Sequence, residues 1–442
     1  MILISLTIAS WIIAGAESLA LDQLLYLKII LVTFVCQVCL YYNDLYDIQI
    51  TKSFFELGTR LLQALGVSAI LLAGIYLLFP KVIIGTGTFA MSVVIVVVFI
   101  FSWRLMYTYV LKEGWFNERI LILGSGPLAA SIASEISSKN DCGYQVNGVV
   151  LCNGEKKSPF SFPANFKVHR CHERICEIAL EEGVKKIIVA MEEKRGVFPT
   201  KELLACRVLG IEVMEGASFY EMLSGKLLVN QINPGWLIFS RGFEKSLLRR
   251  WFKRFVDLIM SVICLVLLSP LLLLTMVLIK IDSRGPVFFS QERVGEREKS
   301  YQMIKFRSMV ENAEELTGPV WAGEDDPRTT RVGRFIRKWR IDELPQIWNV
   351  LKGEMSFVGP RPERQHFVRE LEKKIPFYGE RFHAKPGITG WAQVNYPYGA
   401  SIEDALEKLN YDLFYIKNMS IFLDITILFK TVKIVIFGRG AR

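Results

Sequence analysis

Four apolar runs open the chain, at roughly 2–16 extending toward 21, 24–42, 61–79 and 82–103. Each approaches the ~20 residues an α-helix needs to cross a bilayer. In hydrocarbon a backbone must satisfy its own amides, so such runs fold as helices or not at all. A hydrophobic content of 51% over 442 residues exceeds the usual load of a soluble enzyme, and a membrane protein of two or three domains is expected. Glu17 and Asp22 interrupt the first run, and Ala14-Gly15-Ala16 could pass for a cleavage site. Met1-Ile2-Leu3-Ile4 lacks the positive start of a signal peptide, which favours a span. Arg104, Lys112 and Arg119 follow the fourth run, so the positive-inside rule puts the downstream chain in the cytoplasm. Four crossings return the N-terminus to the same side.

The formal charge of +9 is unevenly placed. Residues 1–115 hold six Lys/Arg and six Asp/Glu, residues 116–247 hold 16 and 15, and residues 248–442 hold 31 and 23. A basic domain beside hydrophobic flanks suits membrane lipid headgroups and a nucleotide diphosphate better than nucleic acid. The eight cysteines form no paired framework, and Cys36 and Cys39 sit inside an apolar run, so disulfides are not expected. Cys171-His172 with Cys176 lacks a second pair at metal-finger spacing, which argues against zinc.

From Arg119 to Ala130 a short apolar strand runs into a glycine turn and then a helix. Gly124, Gly126 and Ala129 fit the phosphate-cradling G-x-G-x-x-A spacing, and 148–152 and 185–190 are further strand candidates. A Rossmann-like α/β module of CoA-binding or nucleotide-binding type is expected over 116–247. The acidic residue that would hold a ribose is replaced by Asn153 or lies elsewhere, which argues against NAD. The competing role is a turn kept for packing, in a module serving regulation or oligomerisation, with a homodimer formed through the upstream region.

Leu258–Ile279 is almost unbroken in its hydrophobicity, with Ser269-Pro270 near its centre. A crossing is the default for such a length. Arg249, Arg250, Lys253 and Arg254 precede it, however, while Lys280 and Arg284 follow it, so both ends favour the cytoplasm. Pro270 removes a helical N–H and bends the helix, and the Ser269 hydroxyl is placed to satisfy the freed group. A re-entrant helix hairpin over 255–281, broken at Ser269 and Pro270, is the expectation.

Function is carried by the last third. Asp342 and Glu343 stand at what reads as a helix start, just after Arg331, Arg334, Arg337, Lys338 and Arg340. Such a pair is often only a cap, since acidic residues suit a helix N-terminus. In cationic company it can hold a divalent cation or attack a phosphate, which suggests phosphoryl transfer. The helix terminus is expected to lower the Asp342 pKa. Lys305 and Arg307 alternate with apolar neighbours and are expected on one strand face, where two cations suit a diphosphate. Arg361, between Pro360 and Pro362, sits on a restricted turn suited to a preorganised phosphate or uridine contact.

Six ordered blocks from Arg250 to Arg442 resemble the bacterial polyprenyl-phosphate hexose-1-phosphate transferases, the monotopic phosphoglycosyl transferases. They are Lys253-Arg254-Phe255-Val256-Asp257, the Ser269-Pro270 break, Lys305-Phe306-Arg307-Ser308-Met309, Asp342-Glu343-Leu344-Pro345-Gln346, Val358-Gly359-Pro360-Arg361-Pro362-Glu363, and Pro386-Gly387-Ile388-Thr389-Gly390-Trp391-Ala392-Gln393-Val394. Upstream, the order of segments resembles the family's long form. The resemblance implies three parts: a bundle of about four transmembrane helices over 1–115, the Rossmann-like module, and an α/β monotopic transferase domain over 248–442.

It further implies transfer of a sugar 1-phosphate from a UDP-sugar to undecaprenyl phosphate, with release of UMP, at the cytoplasmic face of the bacterial inner membrane. This is the initiating step of exopolysaccharide, capsule or O-antigen assembly. Asp342 is implied as the nucleophile of a covalent phosphosugar intermediate, and Mg2+, or Mn2+ in its place, as the neutralising ion. Glu343 is implied as a metal ligand or as the group that orients the acceptor. Lys305, Arg307, Arg361 and Glu363 are implied as substrate contacts. Asp424 ranks lower, as a metal or nucleotide contact, and Asp257 as a structural residue. Glucose and galactose are the favoured sugars.

Two other classes compete. A membrane-anchored, NAD-dependent nucleotide-sugar dehydratase or epimerase needs a Tyr-x-x-x-Lys pair, and Tyr301 and Lys305 have that spacing. No second glycine-rich turn lies between 248 and 301 to support it. A noncatalytic membrane scaffold fits the first 240 residues alone. The tail from Ser420 to Phe437 is expected as a helix at the membrane interface.

Overall fold

The computed structural model describes residues 1–21, 24–46, 54–113, 117–139, 142–151, 166–169, 174–191, 198–231, 235, 239–240, 242–243, 246–310, 326–397, 399, 401 and 402–437. Asn153 and Cys171-His172 lie outside them. The chain divides into two compact units, Met1–Asn117 and Glu118–Arg442.

The first unit consists of α1 (Ile2–Leu21), α2 (Leu25–Tyr42), α3 (Phe54–Leu78) and α4 (Thr86–Glu113). Leu25–Tyr42, Glu56–Leu78 and Gly87–Tyr107 are long and apolar enough to cross a membrane, whereas the apolar stretch of α1, Ile2–Ile13, is shorter. Leu6, Ile29, Val32, Leu57, Leu61 and Leu72 face inward and are buried. Leu62, Ile70, Leu77 and Leu78 face outward with more than 70% of their surface free. Helices that are apolar on both sides belong in lipid. Buried Ser5, Ala9 and Ser10 leave α1 a small-residue face, which allows close helix packing.

The second unit begins with a parallel sheet. β1 (Glu118–Leu123), β2 (Tyr144–Val150), β3 (Lys167–His169), β4 (Lys186–Val189) and β5 (Glu212–Glu215) are ordered β3-β2-β1-β4-β5. This is one half of a doubly wound fold. Ile120–Leu123 are fully buried because helices cover both faces, so the strand reads as a continuous apolar run rather than an alternation. The helices are α5 (Pro127–Ser138), α6 (Ile175–Glu181), α7 (Thr200–Val208) and α8 (Gly216–Ser224). Gly124 has φ +124°, and a Cβ there would lie 2.5 Å from the Ala190 carbonyl oxygen. The first glycine of the turn therefore serves the approach of β1 to β4.

Next comes α9 (Leu247–Asp282), 36 residues long. It is assigned as one helix through Pro270, so the expected break does not divide it into two helices. The carbonyl that Pro270 leaves without a donor is that of Val266, and Ser269 Oγ donates to it at 2.8 Å. The middle of the helix exposes Val266, Leu267, Leu273 and Leu274, while both ends are bonded to the same body. Near its start, Arg254 donates to the carbonyls of Val350 and Leu351, and Asp257 accepts from Ser356 Oγ and the Phe357 amide. At its end, Ile279 packs with Phe306 and Ile336, and Asp282 accepts from the Val332 amide at 3.0 Å.

The rest is a small α/β assembly. β6 (Phe288–Val294) and β7 (Ser300–Phe306) form an antiparallel hairpin. They are followed by α10 (Arg331–Lys338), a 3-10 turn (Ile341–Gln346) and α11 (Ile347–Lys352). β8 (Ser356–Val358) pairs in parallel with β9 (Gly387–Thr389), with α12 (Gln365–Lys374) and a 3-10 segment (Tyr378–His383) between them. α13 (Trp391–Asn395), α14 (Ile402–Asn418) and α15 (Ile421–Ile436) close the chain. α15 is the expected tail helix, capped by Ser420 and exposing Ile421, Phe422, Ile425, Phe429 and Ile436.

The Rossmann-like part and this assembly share one core. Glu221 of α8 receives Lys417 at 2.5 Å and Asn418 at 2.7 Å, Trp391 donates to the Gly225 carbonyl, and Asn410 accepts from the Val229 amide.

Candidate functional site

The acidic pair sits where α10 ends. Thr330 caps that helix by accepting from the Gly333 amide, and Asp282 caps it from α9. A Cβ on Gly333 would fall 1.9 Å from the Ser308 carbonyl oxygen, so the helix is pressed against the end of β7. Arg340 takes a left-handed conformation (φ 53°), which stops α10 and starts the 3-10 turn carrying Asp342 and Glu343. From below, fully buried Asn349 accepts from the Ile304 amide and donates to the Gln302 carbonyl, fixing β7 to α11.

Glu343 gathers the cations. Its Oε1 receives Lys305 at 2.9 Å and Arg361 at 2.7 Å, and its Oε2 lies 3.7 Å from Arg340. Burial alone would push this carboxyl up, but Arg361, Lys305 and Arg340 outweigh it and hold it well below the usual carboxylate range. Asp342 is its opposite. No hydrogen bond or ion pair to its carboxylate is found among the described residues. Burial, reinforced by the neighbouring Glu343 charge, pushes its pKa up to about 6. The expected lowering by a helix terminus is therefore corrected. A 3-10 turn of six residues offers little dipole, and the pull of Lys305, Arg337 and Arg361 does not offset burial and the Glu343 charge.

Arg361 is set by its turn. The carbonyl of Val358 accepts from Tyr415 Oη, that of Pro360 from the Gly387 amide, and that of Arg361 from Arg381. Pro362 O accepts from Arg293, and Glu363 O from the Val294 amide. The backbone is held from behind while the guanidinium reaches forward to Glu343.

Other expected residues lie elsewhere. Arg307 falls one residue past β7, where its buried guanidinium donates from Nη2 to Ser283 at 2.8 and 2.9 Å. Its Nε and Nη1 have no partner among the described residues. Glu363 faces Arg293 at 3.6 Å rather than the acidic pair. Asp424 is bound by Lys253 at 2.6 Å and by Tyr415 Oη at 2.7 Å. Tyr301 and Lys305 stand on a strand, where four residues span ~13 Å, so the pair does not make the dehydratase constellation. Asn349 was not among the expected site residues, whereas Arg340 stood in the basic run expected around the acidic pair.

Among the described residues no group of three His, Cys, Asp or Glu side chains is placed to hold a metal, so Asp424 does not join the pair. Asp342 and Glu343 supply two carboxylates. These two would hold a divalent ion such as Mg2+, which would supply charge neutralisation to a substrate's phosphates.

Residues 248–438 match the family model of the bacterial sugar transferases, and residues 42–197 match that of a CoA-binding domain. The second match starts at the end of α2 and so spans the boundary between the two units. The chain is 44% identical over 240 residues to a UDP-N-acetylgalactosamine-undecaprenyl-phosphate N-acetylgalactosaminephosphotransferase of Aeromonas hydrophila, covering 54% of this chain and 56% of that protein. It is 34% identical over 364 residues to an undecaprenyl-phosphate glucose phosphotransferase of Komagataeibacter xylinus, covering 78% and 65%. It is 43% identical over 189 residues to a UDP-glucose:undecaprenyl-phosphate glucose-1-phosphate transferase of Escherichia coli, covering 41% and 40%. The chain thus spans between about half and two thirds of the length of the first two. Residues 248–438 form a bacterial sugar transferase domain, and the resemblance to the polyprenyl-phosphate hexose-1-phosphate transferases is shown for that part.

Proposed function

We propose that this protein transfers a sugar 1-phosphate from a UDP-sugar to undecaprenyl phosphate, releases UMP, and so initiates assembly of a surface glycan. The observation that carries the reading is the division of labour in the acidic pair. Glu343 binds three cations, while Asp342 keeps a free carboxylate beside them. An Asp342 oxygen attacks the sugar-bearing phosphorus, the bond from that phosphorus to the UMP oxygen breaks, and UMP leaves with the electron pair. An acyl phosphate remains on Asp342. An oxygen of the polyprenyl phosphate then attacks the same phosphorus and frees the carboxylate. With a pKa of about 6, Asp342 is mostly ionised at neutral pH and still a better nucleophile than an ordinary aspartate. Lys305 and Arg361 face the charge that develops on the phosphoryl oxygens. Bound Mg2+ would neutralise phosphate charge at the same place.

Several features support a membrane arrangement in which α9 enters and leaves one leaflet. Both of its ends are bonded to the same body, its middle is exposed and apolar, and basic residues flank it. α15 adds an apolar face at the interface. The charge bias supports a position of this body at the cytoplasmic face of the inner membrane.

Purified protein given undecaprenyl phosphate and a panel of UDP-glucose, UDP-galactose and UDP-N-acetylgalactosamine is expected to release UMP with at least one donor. Donor labelled in the sugar-bearing phosphate, without acceptor, is expected to label the protein. Unaltered UMP release from Asp342→Asn refutes the nucleophile assignment.

A further inference from the structure

Behind the Arg361 turn lies a buried polar group that meets the substrate residues only at the Arg361 backbone carbonyl. The Arg381 guanidinium is almost fully enclosed, and Nη2 donates at once to the Arg361 carbonyl (2.9 Å) and to Asp412 Oδ2 (2.8 Å). Nη1 donates to Tyr378 Oη at 2.5 Å, and the guanidinium lies over the same ring, 5.1 Å from its centroid. Asp412 and Tyr378 each keep only 2% of their surface. A buried ion pair gives stability poorly, because desolvating both partners offsets most of the attraction. What this pair does supply is direction. Pro360 and Pro362 restrict the turn, Pro362 confining Arg361 to extended backbone, and within that range the carbonyl can still swing by tens of degrees. The carbonyl of the residue between them is the group whose orientation fixes where the Arg361 side chain starts.

We infer that Arg381 and Asp412 are positioning residues for transfer, holding the Arg361 carbonyl so that its guanidinium meets the charge developing on the transferred phosphoryl group. The inference rests on the proposed transferase reading. Asp412 fixes Arg381, Arg381 fixes the carbonyl, and the opposite end of the same residue lies 2.7 Å from Glu343 in the catalytic pair. Displacement of a charge-stabilising group by about 1 Å can cost on the order of 100-fold in rate.

The test is a double-mutant cycle on UMP release in the full-length protein. Asp412→Asn is expected to lower kcat about 10–100-fold while changing KM for the UDP-sugar less than about threefold. In an Arg361→Ala background the same substitution is expected to cost less than about twofold, because the group it positions is gone. Tyr378→Phe, which removes one hydroxyl, is expected to follow the same pattern with a drop of about 3–10-fold, and it decides the matter if Asp412→Asn does not fold. Equal losses in both backgrounds, or a full rate in Tyr378→Phe and Asp412→Asn, overturn the inference while leaving the transferase reading intact. A wild-type protein that releases no UMP from any donor overturns the reading itself, and this inference with it.

Discussion

Replacing Asp342 by Asn is expected to destroy activity and stabilise the protein at once. The carboxyl rises from an ordinary 3.8 to about 6 in the fold, a difference worth ~3 kcal/mol at 1.36 kcal/mol per pKa unit. Partial exposure and screening reduce this to about 1–3 kcal/mol. The sign follows from proton binding. Between about pH 4 and pH 6 the native state holds a proton that the unfolded chain has released, so stability falls as pH rises through that window. The whole cost is present above pH 6. The amide carries no charge, so Asp342→Asn escapes it and is expected to melt about 2–5 °C higher than the wild type at pH 7.5. The two proteins are expected to converge near pH 4. Thermal unfolding in detergent micelles, read by tryptophan fluorescence across pH 4–8 without divalent ions, measures the difference. UMP release is assayed alongside. Equal or lower melting of Asp342→Asn at pH 7.5 refutes the claim that Asp342 is an uncompensated, partly desolvated charge.

Glu343→Gln removes the anion that draws Lys305, Arg340 and Arg361 together, and UMP release is expected to fall about 10²–10³-fold. Any residual activity should keep its acid limb at lower pH, since the neighbouring charge that raised Asp342 is gone; an unmoved limb in the pH–rate profile counts against the coupling. Gly333→Ala must displace the Ser308 carbonyl and is expected to abolish transfer with a lowered melting temperature, so a fully active, stable variant contradicts the close approach of α10 to β7. In a cysteine-free background, Arg250→Cys and Arg284→Cys are expected to react with a membrane-impermeant reagent from the same side. Labelling from opposite sides rules out re-entry of α9. Lys417→Met leaves Glu221 buried without its cation, and a melting loss of about 3–5 kcal/mol equivalent is expected in denaturant titration.

Local chemistry was legible in the sequence. Run length and apolarity announced α2, α3, α4 and α9, because a helix in lipid has little else to encode. The strand-turn-helix opening at Arg119–Ala130 was equally plain, as was the partner for the carbonyl freed by Pro270, since each depends on neighbours within four residues. Contacts closed by distant chain were not legible. Asp424 is held by Lys253, 171 residues away, and Arg307 by Ser283 across a strand, which no spacing rule reaches. The sign of the Asp342 perturbation depends on burial and on which of several nearby cations Glu343 captures, and both are properties of the folded site. Arg381 and Asp412 carried no motif, because their work is done through a backbone carbonyl.

The joint between α8 and α14 leaves a hereditary mark on any shortened descendant. Lys417 and Asn418 both donate to a single carboxylate contributed by the Rossmann-like part. A lineage that discarded that part would uncover an ammonium group at a seam shaped to enclose it, five residues along α14 from Asp412. Such a lineage should have exchanged position 417 for a neutral or fully hydrated side chain. Positions 378, 381 and 412, which sit behind the Arg361 turn, should have stayed as they are.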